Sequence, residues 1–403
     1  MRPTGCAPAL LAALTLTLAV PAAEPPPRPD LLRGAVEVYT QLRTPDGAYQ
    51  AMLRHDGEPT TRSSIACVGP GLIALCVEDA LGWNAEAESL ALQTLRMLNG
   101  RGGFAIDRSA GGFYRHFFDT RTGRGDSAFS TLDTALAAAG AVACANHFTN
   151  SPAVRAAAAE LWNRIAWTNA LVGLPGARVH LAMTAEGPTA RATTRPFNEH
   201  LLVAWYGHAQ RGGVASNFFS FYPPPDRWLR SRDYGLPTDH PEQSLSGFAI
   251  LSPYYLAEPA RRDAGYHAQL TRWVQAERAH WAGRDPVAWG AGAGEGPRGY
   301  QVDSLSSHPF DVISPAIIAG FLPVDPEGAL TLDLIWEDGR GWVEVNGQSV
   351  LGSFSLQQSE WKPRAIHGAD FSTYLYGLAA TDPRLPGDFF DRLTRLDAVT
   401  APP

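Results

Sequence analysis

Two acids in this chain sit where a proton could be moved. Glu199 lies in RPFNEHLLVAWYGHAQ, whose spacing puts it in the first turn of a helix among Phe197, Trp205 and Tyr206. Apolar neighbours penalise the charged form of a carboxyl, so a Glu held there can stay protonated and act as a general acid. The plainer reading is that a Glu in a first helical turn simply complements the helix dipole. Asp133 lies in STLDTALAAAGAVACA, a helix of small residues that must pack closely, and an Asp inside such a helix is either paired or functional. Asp311 (HPFDVISPAI) and Asp370 (HGADFSTYL) also precede helices, and each reads equally well as an N-cap. Many rings fall in loops, among them Phe113, Tyr114, Phe117, Phe118, Phe218, Phe219, Trp228, Trp289 and Tyr300. They can pin loops that lack strands, but flat apolar faces with polar rims also suit sugar rings. Paired carboxylates among such rings point to sugar chemistry, one acid protonating a leaving oxygen while another activates water or attacks.

Other chemistries find little support. The 11 His are scattered, without an H-E-x-x-H pair or Cys pairs at ligand spacing, so no metal or organic cofactor is expected. A G-x-S-x-G nucleophile elbow is absent. GEGPRG (Gly294–Gly299) matches a dinucleotide fingerprint in letters only, since Pro297 interrupts it and no helix follows. Lys is nearly absent and no basic run exists, which sets nucleic-acid partners aside at a net charge of −7.

These acids need elements to hold them, and helical periodicity dominates. It predicts helices over Leu31–Arg43, Pro70–Leu81, Ala85–Leu98, Phe129–Phe148, Pro152–Leu171, Phe197–Gln210, Ser244–Ala257, Ala260–Ala282, Ile313–Phe321, Gly368–Ala379 and Gly387–Leu396. Asp325–Trp336 could add one more, although Leu330–Val345 also reads as a hairpin turning at Asp338-Gly339. Long Gly/Pro/aromatic loops, Gly102–Asp126, Gly173–Arg195, Gly212–Gln243 and Asp285–Val312, separate them. Loops of that length in a compact domain are usually functional. About a dozen helices without a fixed sequence repeat fit an all-α toroid in which helix pairs ring a central axis.

The leading residues read as a secretory signal: Arg2, an apolar run from Ala9 to Val20, then small residues with cleavage after Ala22 or Ala23. The run is too short to span a bilayer. The expected organisation is a signal peptide over 1–23, a Pro-rich leader over 24–30 and one domain over 31–403, exported to the periplasm or beyond as a soluble monomer. Cys67, Cys76 and Cys144 remain after the signal. A Cys67–Cys76 bridge and three buried thiols are both open readings.

In order, the same segments resemble the bacterial glucoamylase-like domain family, which includes β-1,2-glucan hydrolases. GFYRHFFDTRTG (Gly112–Gly123) and STLDTAL (Ser130–Leu136) carry the most specific likeness, followed by Phe197-Asn198-Glu199, WGAGAGEGPRGY (Trp289–Tyr300), FDVISPAI and the GSFSLQQSEW–IHGADF region. The likeness runs from Gly102 to Ala379. It implies an (α/α)6 toroid, or six-hairpin barrel, and an exported, inverting glycoside hydrolase acting on an oligo- or polysaccharide such as a β-glucan. It places Glu199, Asp133 and Asp311 as the cleft acids, with Tyr114, His116, Trp289, Tyr300, Asn198 and Trp228 against substrate. Departures from the pattern are Ala128 and Arg230, each in place of an acid, Glu295 in place of Asp, and Val312-Ile313 after Asp311. They leave a non-catalytic carbohydrate-binding protein on the same scaffold as the alternative. A polysaccharide lyase using Tyr114 and His116 is a third reading.

Overall fold

The computed structural model describes residues 29–55, 60–173, 178–188, 192–225, 228–237 and 246–400. Its centre is a pair of helices, Ile65–Ala80 and Thr131–His147, buried on nearly every side. Helices apolar all round belong inside a protein, whereas one-faced helices such as Leu31–Leu42 and Pro152–Arg164 belong outside. The two inner helices touch backbone to backbone. A Cβ on Gly69 would stand 2.0 Å from the Leu136 carbonyl oxygen, and one on Gly140 would stand 2.6 Å from Gly69 Cα. Gly69→Ala is therefore expected to wedge the pair apart at a cost of about 3 kcal/mol, the upper range for overpacking a core. A thermal melt checks this, and an unchanged Tm would contradict the close crossing.

The inner pair belongs to a closed cycle. Thr131–His147 packs on Leu201–Gln210, which packs on Phe248–Leu256, which packs on Ser372–Thr381, which returns to Ile65–Ala80. Leu31–Leu42 bridges the join, touching both Ile65–Ala80 and Ser372–Thr381. Pro315–Gly320 lies against Ser372–Thr381 so closely that a Cβ on Gly377 would meet the Ala319 oxygen at 1.8 Å. Side-chain caps set several helix starts: Ser64 accepts from Ala66 N, Ser130 from Asp133 N, Ser151 from Val154 N and Asp263 from Tyr266 N.

The chain is helix-rich, but it is not purely α. Short antiparallel ladders of two or three strands tie its loops down. Met52–Arg54 pairs with Ala365–His367, Arg62–Ser64 with Phe117–Asp119, and Ala293–Gly296 with Gly299–Val302. The last is a hairpin with GEGPRG at its tip. Predicted helices shift at their ends for local reasons. Pro70 lies within a helix that starts at Ser64's cap, not at its beginning. The Ala260–Ala282 stretch breaks at Asp263, which leaves Glu258–Arg262 and caps Ala264–Trp281. Leu330–Val345 holds both structures weighed for it. The helix Gly328–Glu337 ends at Gly339 (φ 68°), whose N–H bonds the Trp336 oxygen while Arg340 N bonds the Ile335 oxygen. The hairpin that follows turns at Asn346-Gly347, both with positive φ, and not at Asp338-Gly339.

A Cys67–Cys76 bridge is excluded by the fold. Both residues lie on Ile65–Ala80, so nine residues of helical rise place them about 13 Å apart. All three cysteines are free and buried, with the Cys76 sulfur 3.8 Å from that of Cys144. Among the described residues, no helix is long and apolar enough to cross a membrane.

Candidate active site

The helices of the closed cycle begin around one opening. Ser64, Ala66 and Cys67 come from the first, Leu132, Asp133 and Leu136 from the second, and Glu199 from the turn before the third. Phe248 and Ala249 come from the fourth, and Asp370 precedes the fifth. Together they line a cavity of about 560 Å³, completed by His116, Phe117, Tyr300 and His367. Three carboxylates, Asp133, Glu199 and Asp370, thus converge from separate parts of the chain. Helix N-termini around the opening present a partial positive field that favours anionic side chains.

Each acid is held differently. Asp133 is buried, its backbone N–H bonds the Ser130 hydroxyl, and its carboxylate accepts from His116 Nδ1. Glu199 does not lie in a first helical turn, because the helix begins at Leu201. It occupies the preceding turn, with a largely buried carboxylate 3.6 Å from His200 Nδ1. Asn198 secures that turn: its amide donates to Thr194 Oγ1 (3.0 Å) and its oxygen accepts from His200 N (2.9 Å). Asn198 is therefore a buried support for Glu199 and no part of the cavity wall.

Asp370 was the residue most easily misread from sequence. It caps nothing, since Phe371 is the N-cap and makes no side-chain cap bond. Its Oδ1 instead accepts from the Tyr300 hydroxyl at 3.3 Å. Burial raises its carboxyl to about 6, against the opposing charge of His367, the Tyr300 hydrogen bond and the charge of His116. The Tyr300 phenol is pushed up by burial and by the Asp370 charge, although its ring is 56% exposed at the rim. His367 Nε2 lies 3.2 Å from Glu295 Oε2, and the Tyr300 and His367 ring centres are 4.8 Å apart. At the far edge, the Arg62 guanidinium rests 3.8 Å from the Phe117 ring centre.

The structure removes several residues from the expected site. Asp311 takes φ 47°, and its carboxylate faces Arg284 (3.6 Å) and His308 (3.8 Å), outside the cavity. It is not an N-cap either, because Ser314 occupies that position. Tyr114 is fully buried, and its hydroxyl donates to the Leu98 oxygen at 2.7 Å, pinning the loop to the end of a helix. That also removes it from any Tyr114–His116 lyase pair. Trp289 is buried beneath the Arg278 guanidinium and beside Phe321. Trp228 opens the strand Trp228–Ser231, but its side chain lies outside what is described. Of the expected residues, Glu199, Asp133, His116 and Tyr300 line the cavity. Asp370, which the sequence offers equally as a cap, and His367, which it does not single out, join them. The signal for both was their adjacency in IHGADF, an acid three residues after a histidine in a segment already singled out.

The departures have definite places. Ala128 is exposed, and its carbonyl accepts from His116 N; Arg230 is exposed on the strand Trp228–Ser231; Glu295 bonds His367.

The fold is that of a group of solved carbohydrate-related proteins. A provisionally named glucoamylase from Bacteroides uniformis superposes with a TM-score of 0.74 at 18% identity, over 91% of this chain and 93% of that one. An endo-β-1,2-glucanase from Chitinophaga pinensis, solved with sophorotriose and glucose, gives 0.70 at 16% identity, over 92% and 97%. A β-1,2-glucanase from Parabacteroides distasonis gives 0.70 at 14%, over 91% of this chain and 60% of that one. No family model and no curated protein matches the sequence. At these identities the likeness defines the architecture, and chemistry has to be argued from the cavity.

Proposed function

We propose that this chain is an exported glycoside hydrolase that cleaves a β-glucan by carboxylate acid/base catalysis, with β-1,2-linked glucan the first substrate to try. The observation that carries the reading is the convergence of Asp133, Glu199 and Asp370 on one cavity rimmed by Phe117, Phe248 and Tyr300. Glu199 is the general acid that protonates the departing oxygen, directly or through a substrate hydroxyl. Asp370 takes the place expected for Asp311 and draws a proton from the attacking water. A base with a pKa near 6 is well matched to work close to neutrality. Asp133, bonded to His116, orients that imidazole towards the substrate. Inversion follows the family resemblance. We read the five helices of the closed cycle, together with Pro315–Gly320 packed between Phe248–Leu256 and Ser372–Thr381, as the inner ring of a six-hairpin toroid, and the mature protein as a monomer. Export rests on the sequence of residues 1–23, which lie outside the described residues.

A linkage panel of glucans, incubated with the mature protein and assayed for new reducing ends, tests the reading and names the linkage. Products are expected on at least one β-glucan. A folded protein that binds glucan and releases nothing would favour the second reading, carbohydrate binding without hydrolysis, which the exposed Ala128 and Arg230 in place of acids support.

The pH profile carries a further expectation. As a base, Asp370 must be ionised, so kcat falls as pH drops through about 6. The Tyr300 hydroxyl stabilises the ionised form, so Tyr300→Phe is expected to move this acid limb up by about one unit. A limb that stays in place would show that Tyr300 does not act on the base.

A further inference from the structure

The hairpin Ala293–Val302 makes two contacts at once. Glu295 and Tyr300 stand directly opposite each other across its strands, so their side chains leave the same face. Tyr300 reaches Asp370, while Glu295 reaches His367, three residues before it. The hairpin is itself anchored, because Arg298 at its turn lies over the Phe310 ring at 5.0 Å. His367 is fixed from its other side, since its strand pairs with Met52–Arg54 in the register Met52↔His367. A carboxylate on an imidazole nitrogen fixes the ring's tautomer and orientation, as carboxylates do behind metal-bound histidines.

We infer that Glu295 is a positioning residue: it fixes the His367 imidazole in its place beside Asp370, where that ring helps keep Asp370 ready to act as the base. This rests on the hydrolase reading above and deepens it. Nothing in the contacts asks Glu295 to touch substrate.

The sign of the effect separates this role from its competitors. The groups facing Asp370 are His367 from the strand before it, Tyr300 from the hairpin, His116 from the loop before the Asp133 helix, and Cys67 and Tyr39 from two helices, with Asp133 in the same cavity. His367 is the largest influence keeping Asp370 ionised. Removing the Glu295 carboxylate releases His367 from its place, weakens that influence and makes Asp370 harder to ionise. Were Glu295 acting on Asp370 directly, as one anion on another, its removal would make Asp370 easier to ionise. The two routes move the titration in opposite directions.

The test compares wild type, Glu295→Gln and Glu295→Asp in full-length mature protein. Carboxyl-carbon NMR on aspartate-labelled protein, with Asp370 assigned through Asp370→Asn, follows its titration without any need for turnover. Glu295→Gln is expected to move the Asp370 midpoint upward by about one unit. On a cleaved glucan, kcat should fall about fivefold at pH 6 and recover by pH 8.5, with KM within about twofold of wild type. Glu295→Asp should restore much of the difference. A downward or unmoved midpoint would overturn the inference. Hydrolysis with an unmoved midpoint sinks the role of Glu295 and leaves the hydrolase reading standing. A moved midpoint in a protein that cleaves no glycan sinks the hydrolase reading and leaves the Glu295–His367–Asp370 coupling.

Discussion

Replacing Glu199 by Gln is expected to lower kcat on the cleaved glucan by about 10³-fold while leaving KM within a few-fold of wild type. Gln keeps the shape and hydrogen-bonding reach of Glu but cannot deliver a proton, and a positioned general acid contributes typically 10²–10⁴-fold. The fold should not suffer. Asn198 holds the Glu199 turn through Thr194 and His200, and neither bond involves the Glu199 side chain. Steady-state kinetics with a reducing-end assay, alongside a thermal melt, check both halves. Turnover within a few-fold of wild type would remove Glu199 from the acid's role. A sugar with an activated leaving group should suffer less from the substitution, because its departing oxygen needs little help from an acid.

Asp370→Asn should cost activity on a similar scale while stabilising the protein at alkaline pH. The ordinary Asp value, 3.8, rises to about 6 in the fold. The folded chain therefore holds this proton more tightly than the unfolded chain does. Its stabilising effect is complete below about 4 and is lost as pH rises to about 6, after which the penalty for an ionised, partly buried carboxylate stays constant. The shift corresponds to about 3 kcal/mol at most, and solvent reaching the cavity reduces it to about 2 kcal/mol. Asn removes the charge, so Tm should rise by a few degrees at pH 8 and hardly at all at pH 4. Gain of stability with loss of activity is the signature of a site that holds a charge against its surroundings. A Tm that falls equally at both pH values would mean that Asp370 is a structural residue.

The helices were legible because their apolar spacing and caps are local properties. Ser130 and Asp133 announce a helix start in four letters, and the all-small face from Ala135 to Cys144 announces a close crossing. The long-range strands were not legible, because pairs such as Met52↔His367 join residues more than 300 positions apart, and no local pattern encodes them, whereas the local hairpin after Gly339 left a turn signal. The same limit explains the site. Glu199 and Asp133 stand out beside helix starts, whereas Asp370 resembles an ordinary cap until Tyr300 is brought to it from another segment. Asp311 erred in the opposite direction. Its neighbouring residues suited a cleft acid, yet its left-handed backbone sets its carboxylate against Arg284 and His308. Tyr114 and Trp289 illustrate the other side of loop aromatics: a ring in a long loop can be a substrate platform or a bolt, and burial alone decides between them.

One measurement bears most directly on the central claim, that carboxylates converging on this cavity hydrolyse a β-glucan. Wild type, Glu199→Gln and Asp370→Asn would be incubated with β-1,2-glucan and with the other glucans of the linkage panel. Oligosaccharide products would be followed over time, and binding of the same glucans measured by calorimetry. The account predicts product release by wild type alone, with binding retained by all three proteins. Equal release by either variant, or binding without release by wild type on every glucan, would contradict it.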